Sequence, residues 1–198
     1  MEKKTDRRIR KTKHALREGL TKLMQEKSMK DISVKELTDL VDLNRGTFYL
    51  HYNDIFDMID QIEEELLSEF SEIITSCLPV DMDKNPSPML FEQIFMFLKE
   101  NSAICAVLLS RNGDIAFMDK LKSVVRGKCL NIWLLMIQKE ENNQFEYFYS
   151  FILNGCIGLF QSWLENGLKE TPAQMGALAN EFMLHGMLCP FITGNDIQ

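Results

Sequence analysis

Histidine is scarce in this chain, and the scarcity is informative. Three histidines in 198 residues, His14, His51 and His185, lie far apart in the sequence, too scattered for a shared catalytic or metal centre. There is no HExxH, no GxSxG, no phosphate-binding GxxxxGK[ST] and no CxxC. The five cysteines, Cys77, Cys105, Cys129, Cys156 and Cys189, are odd in number and widely spaced, each in an apolar helical setting. Such a set reads as reduced, buried thiols in a cytosolic protein. Glu63, Glu64 and Glu65 are consecutive, so on a helix they diverge rather than converge. Catalysis therefore finds no support, and neither cofactor nor metal is expected. Long apolar runs are missing too. Stretches such as Ile132–Ile137 fall far below the ~18–20 residues of a membrane span. The charged N-terminal stretch lacks the apolar core of a secretory signal, so a cytoplasmic location is expected. Proline is rare, and three of the five prolines crowd into Pro79–Pro88. Strand alternation, internal repeats and low-complexity tracts are not evident.

What is present is a marked charge asymmetry. The chain as a whole carries −7. Residues 1–53 hold 13 Lys/Arg against 8 Asp/Glu, a net of +5, whereas residues 54–198 hold 9 against 21, a net of −12. The first segment is the sharpest. Lys3, Lys4, Arg7, Arg8, Arg10, Lys11, Lys13 and Arg17 are opposed only by Glu2 and Asp6. A basic contact module on an acidic body is the implied organisation. The boundary is expected at 53/54, near the start of a helix that joins both parts.

Nearly everything else reads as helix. Ile9, Leu16, Leu20, Leu23 and Met24 recur at helical spacing and predict a first helix over about 6–26. Ser33-x-x-Glu36 has the form of a capping box, with Ile32 and Leu37 at the staple positions. A second helix to about Val41, a turn at Asp42-Leu43, and a third helix capped by Asn44 and ending near His51 follow. Asp54 caps a long fourth helix to about Cys77. Pro79–Pro88 reads as a loop inside the second domain. Beyond it the periodicity predicts helices over 89–100, 102–110, 114–138, 144–167 and 172–191, the last begun by Thr171-Pro172-x-Gln174. The class is all-α: an N-terminal three-helix helix-turn-helix domain and a C-terminal helical domain, with about nine helices.

In the third helix, Phe48 and Tyr52 stand four apart and share a face. With Leu43 they are expected to pack on Leu16, Leu20, Leu37 and Leu40. The other face offers Arg45, Gly46, Thr47, Tyr49, Leu50 and His51. Groove recognition needs such chemistry. Arginine can bond bidentately to guanine, and threonine can meet a base, a phosphate or a thymine methyl. Gly46 removes a side chain where the helix comes closest to the duplex. Leu50 offers apolar contact only. Tyr49 and His51 can donate to phosphates, which fix register. Ser33 and Lys35 at the second helix start suit a neighbouring phosphate, and Asn44 and Asn53 complete the DNA-binding set.

Residues 6–65 resemble the DNA-binding domain of the TetR/AcrR family of transcriptional regulators. The resemblance is carried by Leu37-Thr38-Asp39-Leu40-Val41, by Arg45-Gly46-Thr47-Phe48-Tyr49-Leu50-His51-Tyr52 and by the helix begun at Asp54. It implies a homodimer with a reading helix in successive major grooves of double-stranded DNA. It also implies an all-helical C-terminal domain that dimerises and usually binds a small effector. One departure stands out. The phosphate-contacting lysine common early in the family's fourth helix is Ile55 here, which leaves Asn53 and backbone N–H groups for that task.

In the C-terminal half, Gly155 to Gly167, with Thr171-Pro172, is similar to the family's penultimate helix and turn. Gly155, Gly158 and Ser162 suit close helix approach, as do Gly176, Ala177, Ala179 and Gly186 beside Leu178, Met183 and Met187. Gly155, Gly158, Ser162, Leu178 and Met183 are the expected dimer interface. Dense aromatics and twelve methionines suggest a cavity for a small apolar or amphipathic effector, lined by Phe95, Trp133, Phe148 and Phe151. The expected function is an effector-released repressor acting as a homodimer on a pseudo-palindromic operator. The alternative is a regulator of the same shape answering to a protein partner and acting as an activator.

Overall fold

The computed structural model describes residues 2–77, 89–110, 115–137 and 144–186, and side chains within them except at 2–6, 129–137, 144–145, 148 and 183–186. Nine α-helices occur among the described residues, and no strand. They are α1 (Glu2–Glu26), α2 (Val34–Leu40), α3 (Arg45–Tyr49), α4 (Ile55–Cys77), α5 (Met89–Glu100), α6 (Ser102–Leu108), α7 (Ile115–Ile137), α8 (Gln144–Glu165) and α9 (Pro172–Gly186). A single 3-10 turn, Met29–Asp31, joins α1 to α2. The chain divides into two compact units, Met1–Leu66 and Leu67–Gln198, and the division falls within α4. The expected loop Pro79–Pro88 and the last helical residues beyond Gly186 lie outside the described residues.

In the first unit the helix ends are set by side-chain caps. Ser33 Oγ accepts from the Glu36 N–H at 3.2 Å, and Asn44 Oδ1 from the Gly46 N–H at 2.7 Å. Asp54 Oδ1 accepts from the Asp57 N–H at 2.9 Å. Each satisfies a donor that the first helical turn leaves open. The turn after α2 is closed by Asp42 in the left-handed region, φ 53°, which lets the Leu43 N–H reach back to the Thr38 carbonyl at 2.9 Å. Aspartate is one of the few residues that tolerate this conformation. Leu16, Leu20, Leu37, Phe48 and Met58 are fully buried, with Tyr52, Ile32 and Ile62 beside them in burial. Leu40 departs from expectation. It is the last residue of α2, and it lies 42% exposed. Val41 holds the inward position instead, so close to Gly19 that a Cβ there would overlap Val41 Cγ1. Gly19 thus sets how nearly α1 and α2 approach.

The second unit is built on apolar burial. Phe91, Phe95, Phe97, Leu108, Phe117, Phe160, Trp163 and Met175 form much of its interior. The Phe95 ring meets Trp163 edge-on at 5.6 Å between centroids, a favoured aromatic geometry. Trp163 donates its indole N–H to the Glu170 carbonyl at 3.2 Å, and Gln161 donates to the Leu109 carbonyl at 2.7 Å. Helix α8 ends at Glu165, and the turn after it is closed by Gly167, φ 77°, where the Leu168 N–H returns to the Trp163 carbonyl at 2.9 Å. The Thr171–Gln174 capping box is complete: the Thr171 N–H donates to Gln174 Oε1 at 2.8 Å and the Gln174 N–H to Thr171 Oγ1 at 3.2 Å.

Candidate nucleic-acid interface

The site is organised by the burial of two rings. Phe48 and Tyr52 are buried with their centroids 5.5 Å apart, and they pin α3 against the first unit's core. At ~100° per residue, Gly46 and Leu50 lie within about 20° of diametrically opposite Phe48. Arg45, Gly46, Tyr49 and Leu50 are exposed, Leu50 by 80%, while Thr47 and His51 are half-buried. Tyr49 stands edge-on to Phe48 at 5.5 Å and His51 edge-on to Tyr52 at 6.3 Å. Each ring is thereby steadied on the apolar base. Ser33, Lys35, Asn44 and Asn53 are exposed as well. Helix α3 is shorter than the expected span, ending at Tyr49, with Leu50 as its cap.

Two local details revise the residue-by-residue reading. A Cβ on Gly46 would lie 3.3 Å from Asn44 Oδ1, so the bare position also keeps room for the α3 cap. Glu36 does not return its side chain to Ser33. Its carboxylate pairs with Lys27, so the expected capping box is half made.

Asn53 needs a larger revision. Its backbone N–H donates to Asp57 Oδ2 at 2.7 Å and its side-chain amide to the same oxygen at 3.0 Å. Gln61 donates to Asp57 Oδ1 at 3.1 Å. These donors, the Asn53 backbone N–H first, hold the Asp57 carboxyl below the usual carboxylate range. The groups expected to take a phosphate at the start of α4 are thus already engaged by an internal anion. Ile55, at the family's lysine position, is buried.

The basic face of α1 is also more selective than its sequence. Arg7, Arg8, Arg10 and Lys11 are exposed. Lys13 turns inward, with Nζ 5.5 Å from the Tyr52 ring centre and 3.8 Å from Glu65. Burial, followed by the Glu65 charge, pushes the Tyr52 hydroxyl up to about 12. Among the residues that sequence reasoning missed, Gly19, Lys27 and Asp57 position the helices. Only the Asp54-x-x-Asp57 spacing could have signalled one of them.

The residues expected to act in the C-terminal half fare unevenly. Phe95 is buried against Trp163, but Phe151 is 65% exposed. The two do not line one interior cavity within this chain, because α8 turns Phe151 to the side away from its buried residues. The side chains of Trp133, Phe148 and Met183 lie outside the described residues. Gly155, Ser162 and Leu178 are exposed and Gly158 half-buried, and nothing lies within 4 Å of a Cβ built on Gly155 or Gly158. Gly176 differs. A Cβ there would lie 2.5 Å from the Glu92 backbone nitrogen and 3.0 Å from the Phe91 carbonyl carbon. Its smallness therefore serves α5–α9 packing inside the unit.

Among the described residues no His/Cys/Asp/Glu group could hold a metal ion, and no helix is long and apolar enough to cross a membrane.

Comparison with known proteins agrees with this architecture. Residues 84–185, just over half of the chain, match the TetR-type family model described as "Transcriptional regulator C-terminal region". The HTH-type transcriptional regulator YxbF of Bacillus subtilis strain 168 is 20% identical over 161 residues, covering 79% of this chain. The chain spans 40% of that protein's length. Two solved structures share the fold. The TetR transcriptional regulator from Streptococcus agalactiae 2603V superposes with a TM-score of 0.57 at 21% identity, covering 92% of this chain and 99% of that one. The transcriptional regulator FadR from Bacillus subtilis, in complex with stearoyl-CoA, superposes with a TM-score of 0.63 at 13% identity, covering 87% and 98%. The chain belongs to the TetR family of transcriptional regulators.

Proposed function

We propose that the protein is an effector-released repressor that binds a pseudo-palindromic operator as a homodimer. Residues 1–53, with the start of α4, are the DNA-binding part, and residues 54–198 the effector-binding and dimerising part. The observation that carries the reading is the outward face of α3. Phe48 and Tyr52 anchor that helix, which leaves Arg45, Thr47, Tyr49 and Leu50 free to enter a major groove. Arg45 reads guanine, Thr47 a base or phosphate, and Tyr49 and His51 the backbone. Ser33, Lys35 and Asn44 meet the flanking phosphates. Asn53, held by Asp57, supports the turn rather than the DNA.

Dimerisation falls to α8 and α9. Tyr147, Phe151, Gly155, Gly158 and Ser162 run along one side of α8 at helical spacing, and Leu178 and Phe182 are exposed on α9. Exposed apolar and small residues in a stripe call for a partner helix. Phe151 belongs with this stripe rather than with a pocket. The effector is a small apolar or amphipathic molecule, a reading supported by FadR, whose structure holds stearoyl-CoA.

In vitro selection from randomised duplexes tests the proposal. The expected product is a two-fold sequence whose half-site centres stand about 34–36 Å apart, protected by a dimer. No enrichment, or a single unrepeated site held by a monomer, would refute it.

A further inference from the structure

The most exposed large apolar side chain described in this chain is not on the C-terminal helices. It is Leu50, 80% exposed, at the end of the reading helix. One turn earlier on the same side stands Gly46, which has no side chain. Together they occupy the centre of the face opposite Phe48. The polar groups Arg45, Thr47 and Tyr49 flank that centre. The part of α3 that reaches deepest into a groove therefore carries no hydrogen-bonding side chain.

An isobutyl group in that position cannot satisfy a base donor or acceptor. Pressed on guanine, adenine or cytosine edges it would strip water from polar atoms and return nothing. The one apolar group on the major-groove edge of the four bases is the thymine C5-methyl. We propose that Leu50 is a specificity-determining residue that reads a thymine methyl at a fixed position in each half-site. Gly46 supplies the clearance that lets the helix come close enough. This inference rests on the reading of α3 as the groove-entering helix and adds to it the identity of one base and the atom recognised. Arg45, more than a turn earlier, reads a different base, so the two preferences are separable in sequence.

Replacing thymine by deoxyuridine deletes only the methyl and keeps every hydrogen-bonding group. The operator obtained by selection is synthesised with each thymine of one half-site replaced in turn, and affinity is measured for the full-length protein and for Leu50→Ala. One position is expected to lose roughly three- to tenfold in affinity for the parent protein. Leu50→Ala should bind the thymine operator with a similar loss and be indifferent to deoxyuridine at that position. Equal deoxyuridine sensitivity in both proteins, or no sensitive position in the parent, overturns the assignment while leaving the DNA-binding reading intact. A chain that selects no sequence at all fails the underlying reading instead. Leu50 is a solvent-exposed cap, so its truncation leaves the fold in place, which circular dichroism of the variant checks directly.

Discussion

The two units expose opposite kinds of surface. On the first, the uncovered side of α1 and α3 carries Arg7, Arg8, Arg10, Lys11 and Arg45, with Ile9, Tyr49 and, at the end of α3, Leu50 as the large apolar groups exposed among them. On the second, the uncovered residues on α8 and α9 include Tyr147, Phe151, Leu178 and Phe182 beside bare glycines. The charges differ in the same sense, +5 over residues 1–53 and −12 over residues 54–198. A cationic, capped and rigid face suits a polyanion that is bound and released with salt. An apolar face with small residues suits a lasting contact with another protein surface. The two faces differ in chemistry, and substitutions can be aimed at either one.

The largest effect is expected from Gly158→Glu. Added volume and an unpaired charge on the α8 stripe should leave monomers in sedimentation. Operator affinity should fall by roughly 10³-fold or more, towards non-specific binding. The circular dichroism of the first unit's helices should persist. A variant that stays dimeric would move the interface off α8. Arg45→Ala attacks the other face. It should cost about 1–3 kcal/mol on the operator and relax preference at one base, with oligomeric state unchanged. An unaltered base profile would remove Arg45 from the readers.

Gly176→Ala separates packing from assembly. The new Cβ meets α5 backbone, which cannot swing aside, so stability should drop by about 1–3 kcal/mol in denaturant unfolding. A neutral result would mean that α5 and α9 are looser than their geometry implies. Smaller still is the effect of changing Arg7, Arg8, Arg10 and Lys11 to glutamine. The salt dependence of DNA affinity should flatten by roughly one unit of slope per lost phosphate contact, with base preference retained. An unchanged slope would leave these side chains solvated and idle. The smallest concerns Tyr52. Its hydroxyl titrates at about 12 in the folded protein, against 10.0 ordinarily, because burial favours the neutral phenol. That stabilising term is complete below pH 10 and is lost as pH rises towards 12. Alkaline absorbance titration of Tyr52→Phe should lack a late step that the parent protein shows.

Much of this was legible in the sequence, for identifiable reasons. Caps at Ser33, Asn44, Asp54 and Thr171 are local events, fixed by residues within three positions, and all four formed. The buried pair Phe48 and Tyr52 follows from helical period alone. What failed was the choice of neighbour. Periodicity marks Gly176 as small but not whether α5 or another copy lies beyond it. It marks Phe151 as apolar but not whether its face of α8 is covered. Glu36 and Asn53 differ in kind. Each has the right chemistry for the expected contact, and in the structure Lys27 holds the Glu36 carboxylate while Asp57 accepts from Asn53. Asp57 is four residues from Asn53 and Lys27 nine from Glu36, and apolar periodicity does not say which polar partner a group will take.

The seating of Gly176 against the backbone of Phe91 and Glu92 restricts how the second unit can move. A slide of α9 along its axis by one turn would bring Pro172 or Asn180 into a space that cannot hold even a methyl group. A one-turn slide of α9 past α5 in either direction would therefore drive a side chain into the α5 backbone. Of the helix motions known in proteins, this contact opposes the shear. What allows the close seating is a hydrogen atom where any other residue carries a carbon.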